Sequence, residues 1–249
     1  MSATMVKICG LVRLEDADRI SALRPDFAGV VFASGRRQRT PAESAALLSR
    51  LDGSIRKVGV FSDTPFDILL FAVAVCRLDV VQLHGNETPD DIARLRQELH
   101  RLGKGNVRIW KMIGVITGSR AAETAVEVFT QASAYAGTAD AILLDARIPV
   151  AGPALQQRGG NGCKFDWHIA RAVVAHLPMP VILAGGLDPE NVSEAVSLVR
   201  PYAVDVSSGV ETDGYKDGEK VRRFIGNARN AEMRQEPAVP GKKEEAYEG

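Results

Sequence analysis

Cysteine is scarce in this 249-residue chain: Cys9, Cys76 and Cys163 are the only three, with no Cys-x-x-Cys pair. That excludes a disulfide framework and a cysteine-built zinc site, and it suits a reducing compartment. Net charge is missing as well, since 31 Lys and Arg balance 31 Asp and Glu. Neither nucleic acid nor an acidic membrane is therefore expected as the main partner. Long apolar runs do not occur. The longest, residues 66–76, contains Asp67 and is too short to span a bilayer. The first ten residues lack the charged-then-apolar layout of a signal peptide. The histidines, His84, His100, His168 and His176, are scattered, so no metal cage is expected. What these absences leave is a cytoplasmic chain of enzyme size, with no metal and no membrane contact.

What is present is alternation. Short apolar runs alternate with helix-length segments throughout, the pattern of a parallel sheet with crossover helices. Strands are predicted at 6–9, 27–32, 57–61, 80–83, 107–113, 141–144, 181–184 and 203–206. Thr40-Pro41 with Glu43 marks one helix start, and Thr88-Pro89 another. The third helix, about 65–77, is apolar enough to expect heavy burial, and Ser119 is the expected cap of the fifth. The seventh is expected over 189–199 and the last over 218–231. Eight such units in a chain of this length predict a single (β/α)8 barrel, a TIM barrel, over residues 1–231. Residues 232–249 have no apolar period and read as a charged, flexible, disordered tail. The link 146–164 holds two prolines and four glycines, and links this long are functional or disordered.

Barrels of this kind place their chemistry at the C-terminal ends of the strands. Those positions hold Cys9-Gly10, the basic loop 34–39, Gln82, His84, Asp145, Gly185-Gly186, and Asp205 with Ser207, Ser208 and Gly209. Small-residue turns after the last two strands leave backbone N–H groups free for a phosphate. A thiol and a carboxylate above that cradle suit proton transfer in both directions. Taken alone, Cys9 reads as a buried packing residue and Asp145 as a turn residue; their joint placement favours function. Cys76 belongs to the core and Cys163 to a loop. Trp110 and Trp167 read as packing.

Several stretches occur in one order along the chain. They are Lys7-Ile-Cys-Gly10, Val58-Gly-Val-Phe61, Val81-Gln-Leu-His-Gly85, Leu143-Leu-Asp145, and Gly159-Gly-Asn-Gly162 before Phe165-Asp-Trp167. Ile182-Leu-Ala-Gly-Gly-Leu-Asp-Pro-Glu-Asn-Val192 and Val204-Asp-Val-Ser-Ser-Gly-Val-Glu211, with Lys216-Asp217 after it, complete the set. Together they resemble the phosphoribosylanthranilate isomerase family of tryptophan biosynthesis. The resemblance implies an Amadori rearrangement of N-(5-phosphoribosyl)anthranilate, an aminoaldose, to an aminoketose. It implies Asp145 as general acid on the ring oxygen and Cys9 as general base at C2′, with no cofactor and no metal. Arg37 matches the family arginine that holds the anthranilate carboxylate. Asp205 matches a family residue near the substrate's polar groups, and Gln82 and His84 are expected to line the same rim. Backbone N–H groups near Gly162, Gly186, Ser208 and Gly209 are the implied phosphate site. The implied partner is a small phosphorylated aminosugar, bound by a monomer or homodimer.

A free thiol is only a few per cent thiolate at neutral pH. Cys9 is therefore expected to be activated by a nearby cation, Lys7 or Arg37. Two stretches depart from the family pattern. The usual Ser-x-Arg-x-Val-x-Pro reads Gly35-Arg-Arg-Gln-Arg-Thr-Pro41, and Gly-Gly-Thr-Gly reads Gly159-Gly-Asn-Gly162. A lysine aldolase is disfavoured because Lys57 and Lys111 are not at predicted strand ends. A catalytically silent ligand-binding paralogue is the rival from outside enzymes, disfavoured by Cys9 and Asp145.

Overall fold

In the computed structural model, residues 3–117, 121–147 and 164–231 are described. Eight parallel strands close into a barrel in sequence order, with the last paired to the first. The order is β1 (Met5–Cys9), α1 (Leu14–Leu23), β2 (Phe27–Val31), α2 (Pro41–Ser49), β3 (Arg56–Phe61), α3 (Phe66–Cys76), β4 (Val80–Leu83) and α4 (Pro89–Arg101). It continues as β5 (Arg108–Ile116), α5 (Ala121–Ser133), β6 (Ala141–Arg147), α6 (Trp167–His176), β7 (Val181–Leu183), α7 (Val192–Val199), β8 (Ala203–Val206) and α8 (Gly218–Asn230). Thr40 and Thr88 cap α2 and α4, and Glu43 and Asp91 reach back to the cap backbone in each case. That reciprocal bonding satisfies orphan N–H groups, so the turn chemistry fixes where those helices begin. Among the described residues no helix is long and apolar enough to cross a membrane.

Side-chain alternation along the strands builds the interior. Phe27, Val58, Val80, Trp110, Ala141, Leu143, Ile182 and Ala203 form an apolar plug. One step of two residues further along the same strands, the same inward side carries Gln82, Asp145 and Asp205. Because the side-chain period is two, Leu143 and Asp145, or Ala203 and Asp205, share a face. The interior is therefore oily at one end and polar at the other. The opposite faces of the strands pack on the helices as a second, larger core.

Four expectations are corrected. β5 runs to Ile116 rather than 113 and pairs with a longer β6, Gly114 opposite Asp145 and Ile116 opposite Arg147. Asp145 thus sits inside the ladder, not past its end. α7 starts at Val192 rather than 189, because the Asp188 side chain accepts from the N–H groups of Glu190 and Asn191 and holds a turn there. α3 is not buried all round. Leu69, Ala72, Val73 and Cys76 face the barrel, whereas Ile68, Phe71 and Val75 are exposed. One helix has only one stripe to bury against the sheet, whatever its composition. After β8 come a short 3-10 turn (Ser208–Val210) and a hairpin of β9 (Glu211–Thr212) and β10 (Tyr215–Lys216), none of which was expected. The Ser119 cap, residues 148–163 and the tail 232–249 lie outside the described residues.

A buried ion pair pins the loops beyond β3 and β4. Lys111 Nζ donates to Glu87 Oε2 at 2.8 Å and to the Gly85 carbonyl at 2.6 Å. Glu87 also accepts from the N–H groups of Asp63 and Gly85. Lys111 is thereby committed to the scaffold and is not a strand-end nucleophile. Lys111→Ala strands the Glu87 carboxylate in a dry site and is expected to cost about 3–5 kcal/mol. Urea unfolding should show that loss, and Lys111→Met with Glu87→Gln should recover much of it.

Candidate active site

A cavity of about 200 Å3 opens at the C-terminal end of the barrel. Cys9, Arg37, Gln82, His84, Asp145 and Asp205 all line it, with Val31 and Val60 as an apolar wall. Six residues spread over the chain from 9 to 205 therefore converge on one space. Gly29 makes room for them: a Cβ there would lie 3.2 Å from Cys9 Sγ and 3.3 Å from Lys7 Cε.

Lys7 lies under the cavity floor, fully buried, with Nζ 2.8 Å from Asp205 Oδ2. β1 and β8 are neighbours in register, Lys7 opposite Asp205, which is why the pair forms. Burial alone would push the Lys7 ammonium down, but Asp205 and Cys9 outweigh it and hold it above its ordinary value. Lys7 also acts on Cys9. Burial pushes the Cys9 thiol up; Lys7 opposes this and Asp205 adds to it, and the direction remains up. The expected activation by Lys7 is thus outweighed by burial. Of the two cations named for it, Lys7 faces the thiol, whereas Arg37 is tied elsewhere.

Asp145 is pushed up to about 7, first by burial and second by the Asp205 charge. Such a carboxyl is half protonated near neutrality, as a general acid needs. His84 Nε2 stands 3.5 Å from Asp145 Oδ2, and its Nδ1 is 3.3 Å from Gln82 Nε2. Asp205 Oδ1 and Gln82 Oε1 are buried without a hydrogen-bond partner among the described residues. Buried acceptors of this kind call for donors.

The basic loop is clamped down. Arg37 donates from Nε and Nη2 to the two oxygens of Glu211 at 2.9 and 3.0 Å. Arg36 donates to Glu211 Oε2 and to the Gly214 carbonyl. Arg39, which stands where the family has an apolar residue, donates to the Val12 carbonyl from Nε and Nη2. Glu211 is held down to about 2: burial would raise it, but Arg37, Lys216 and Arg36 prevail. The sequence alone assigns Glu211 and Lys216 no role. The available signal was a carboxylate just past the β8 turn in a chain whose β2 loop holds three arginines.

The turns expected to hold phosphate adjoin the cavity. Gly185 and Gly186 both have positive φ, 85° and 64°. A Cβ on Gly185 would lie 2.6 Å from the Ala146 nitrogen and 2.9 Å from Asp145 Oδ1. Gly209 packs on the Leu187 carbonyl, so the β7 and β8 turns touch. Ser207, rather than Ser208 or Gly209, lines the cavity. Gly162 lies outside the described residues. Among those residues no group of three or more His, Cys, Asp or Glu is placed to hold a metal ion.

A closed (β/α)8 barrel with a buried thiol and a proton-holding carboxyl at its C-terminal face defines the class, a barrel enzyme built for acid–base chemistry. The family profile of N-(5'-phosphoribosyl)anthranilate isomerase matches residues 6–227. The chain belongs to that family. It is 42% identical over 229 residues to the N-(5'-phosphoribosyl)anthranilate isomerase of Acetivibrio thermocellus, covering 92% of this chain and 97% of that protein. The solved phosphoribosyl anthranilate isomerase of Thermus thermophilus superposes with a TM-score of 0.72 at 34% identity, covering 92% and 100% of the two chains. Another solved isomerase, in complex with reduced 1-(o-carboxyphenylamino)-1-deoxyribulose 5-phosphate, gives 0.69 at 29% identity, with coverage of 91% and 99%.

The raised Asp145 carboxyl carries a stability consequence. The folded chain holds its proton more tightly than the unfolded chain does. Its contribution is fully present below the unfolded value of 3.8 and is lost as pH rises through about 7. Asp145→Asn is therefore expected to gain stability over wild type with rising pH, on the order of 4 kcal/mol from pH 4 to pH 8. Thermal unfolding across that range measures the gain.

Proposed function

We propose that the chain converts N-(5-phosphoribosyl)anthranilate to 1-(2-carboxyphenylamino)-1-deoxyribulose 5-phosphate with Asp145 as general acid and Cys9 as general base. The observation that carries the assignment is that both groups open on one cavity, with Lys7 and Asp205 beside them.

Asp145 gives its proton to the furanose ring oxygen as the C1′–O bond breaks. The nitrogen lone pair forms the C1′=N iminium. Cys9, as thiolate, takes the proton from C2′, and the electron pair moves into a C1′–C2′ double bond, neutralising the nitrogen. The enolamine then tautomerises to the aminoketone. The two groups finish with protonation states exchanged, and solvent resets them. The iminium nitrogen is the electron sink, so the protein needs only to place an acid, a base and their electrostatic surroundings. The buried acceptors Asp205 Oδ1 and Gln82 Oε1 suit the ribose hydroxyls. Arg37 suits the planar anthranilate carboxylate. The paired turns at Gly185-Gly186 and Ser208-Gly209 suit the phosphate.

Cys9→Ala and Asp145→Asn are each expected to lower kcat by about 10²–10⁴-fold with the fold intact. In a tryptophan auxotroph lacking this isomerase, the wild-type gene should restore growth and Cys9→Ala should not. Near-full activity in either purified variant removes that residue from its role. The pH profile follows from burial. Asp145 sits at about 7 and Cys9 above its ordinary value, so the working state, acid protonated and base ionised, is a minor one. Its population is level between the two values and falls on either side. kcat/KM is expected to rise up to about pH 7, stay level in mild alkali and fall beyond. In the residual activity of Asp145→Asn the bend near 7 should vanish, the rise continuing with ionisation of the Cys9 thiol.

A further inference from the structure

Glu211 and Lys216 have no task in that mechanism, yet their side chains are only 6% and 1% exposed. Glu211 accepts from Arg37 through both oxygens, from Arg36 at 2.9 Å, and from Lys216 at 2.9 Å. Lys216 also donates to the Ser207 carbonyl, and the Ser207 hydroxyl donates to the Cys9 carbonyl. One carboxylate therefore ties the loop after β2 to the turn after β8 and to the strand end that carries the thiol.

The geometry of the Arg37 fork is informative. A guanidinium has five N–H donors in one plane. Glu211 takes Nε and one from Nη2, the side edge. Three donors remain without a partner among the described residues, enough for a second carboxylate in the same plane. A free arginine would sample many rotamers; one locked along its side edge has its remaining edge aimed in advance. Three cations on one carboxylate also leave local positive charge in excess. Glu211 thus orients Arg37 without cancelling its attraction for an anion.

We propose that Glu211 is a positioning residue that fixes the plane of Arg37, so that the free guanidinium edge receives the aromatic carboxylate and selects a carboxylated arylamine sugar over an uncarboxylated one. This rests on the functional reading above. It goes beyond it in making selectivity depend on a residue that does not touch the substrate.

The test is steady-state kinetics of Glu211→Gln with N-(5-phosphoribosyl)anthranilate and with N-(5-phosphoribosyl)aniline, which lacks the carboxylate. KM for the anthranilate compound should rise about tenfold or more while kcat changes by less than about threefold, the mark of lost binding common to ground and transition states. The kcat/KM preference over the aniline compound should shrink by a similar factor. In an Arg37→Lys background, Glu211→Gln should add nothing. A lowered KM would make Glu211 a competitor for the fork, and an unchanged KM a bystander; either overturns the proposal. If Glu211→Gln does not fold, Glu211→Asp carries the same test. It keeps the charge but is one methylene too short to hold Arg37 and Lys216 together, and the same loss of preference is expected. A wild-type chain that turns over neither compound overturns the functional reading and this proposal with it. A normal wild type beside an unaltered variant overturns this proposal alone.

Discussion

The ion pair between Lys7 and Asp205 is the constraint on which the site depends. Both charges are buried, across the seam where β8 closes the barrel onto β1. Taking two charges out of water costs several kcal/mol per ion, so such a pair is poor value as a fastener. Its worth lies in what it does to its neighbours. Lys7 draws the Cys9 thiol toward ionisation against the pull of burial. Asp205 pushes the Asp145 carboxyl toward holding its proton. One dipole, laid along the cavity floor, favours the protonated form of Asp145 and the ionised form of Cys9, the states the proposed mechanism uses. Removing either end would leave the other charge uncompensated and mistune both groups together.

The mouth of the cavity is organised on the same economy, with one carboxylate serving several cations. Glu211 gathers Arg36, Arg37 and Lys216, and Arg39 ties the same loop to the Val12 carbonyl. The loop after β2 departs from the family pattern at Arg39, and the structure gives that added cation a partner in the Val12 carbonyl. Arg36 and Arg39 hold the loop to its neighbours. All three arginines of this basic stretch are tethered to carbonyls or to one carboxylate.

The fold was legible because it is written in patterns that survive without coordinates. Strand and helix alternation, Thr-Pro helix starts and the placement of Cys9 at the end of its strand all follow from local chemistry. What was not legible depends on partners. β5 lengthens because β6 does, which only pairing reveals. The apolar α3 looked buried because composition cannot say how many faces of a helix have something to pack against. Glu211 was invisible as a site residue because its meaning comes from Arg37, 174 positions away. The Cys9 environment was half legible. Lys7 could be named from its spacing of two along the strand, which puts both side chains on one face. The desolvation that opposes it could not, since burial depends on everything packed around the barrel.

The arrangement also explains why the polar residues cluster at one end. An (β/α)8 interior is a filled core, and the apolar plug of Phe27, Val58, Trp110, Leu143 and Ile182 fills its lower part. Stability accrues there and between strands and helices, where no chemistry is needed. The upper end then tolerates groups that oppose folding: a buried carboxyl kept off its normal ionisation, a buried thiol, and acceptors with no donor. Gly29 and Gly185 belong to the same division of labour. Each withholds a side chain where one would strike Cys9 or Asp145. Cys9 and Asp145 are held in place as much by that cleared space as by the bonds around it. A Cβ at either position would overpack the site and displace the groups beside it.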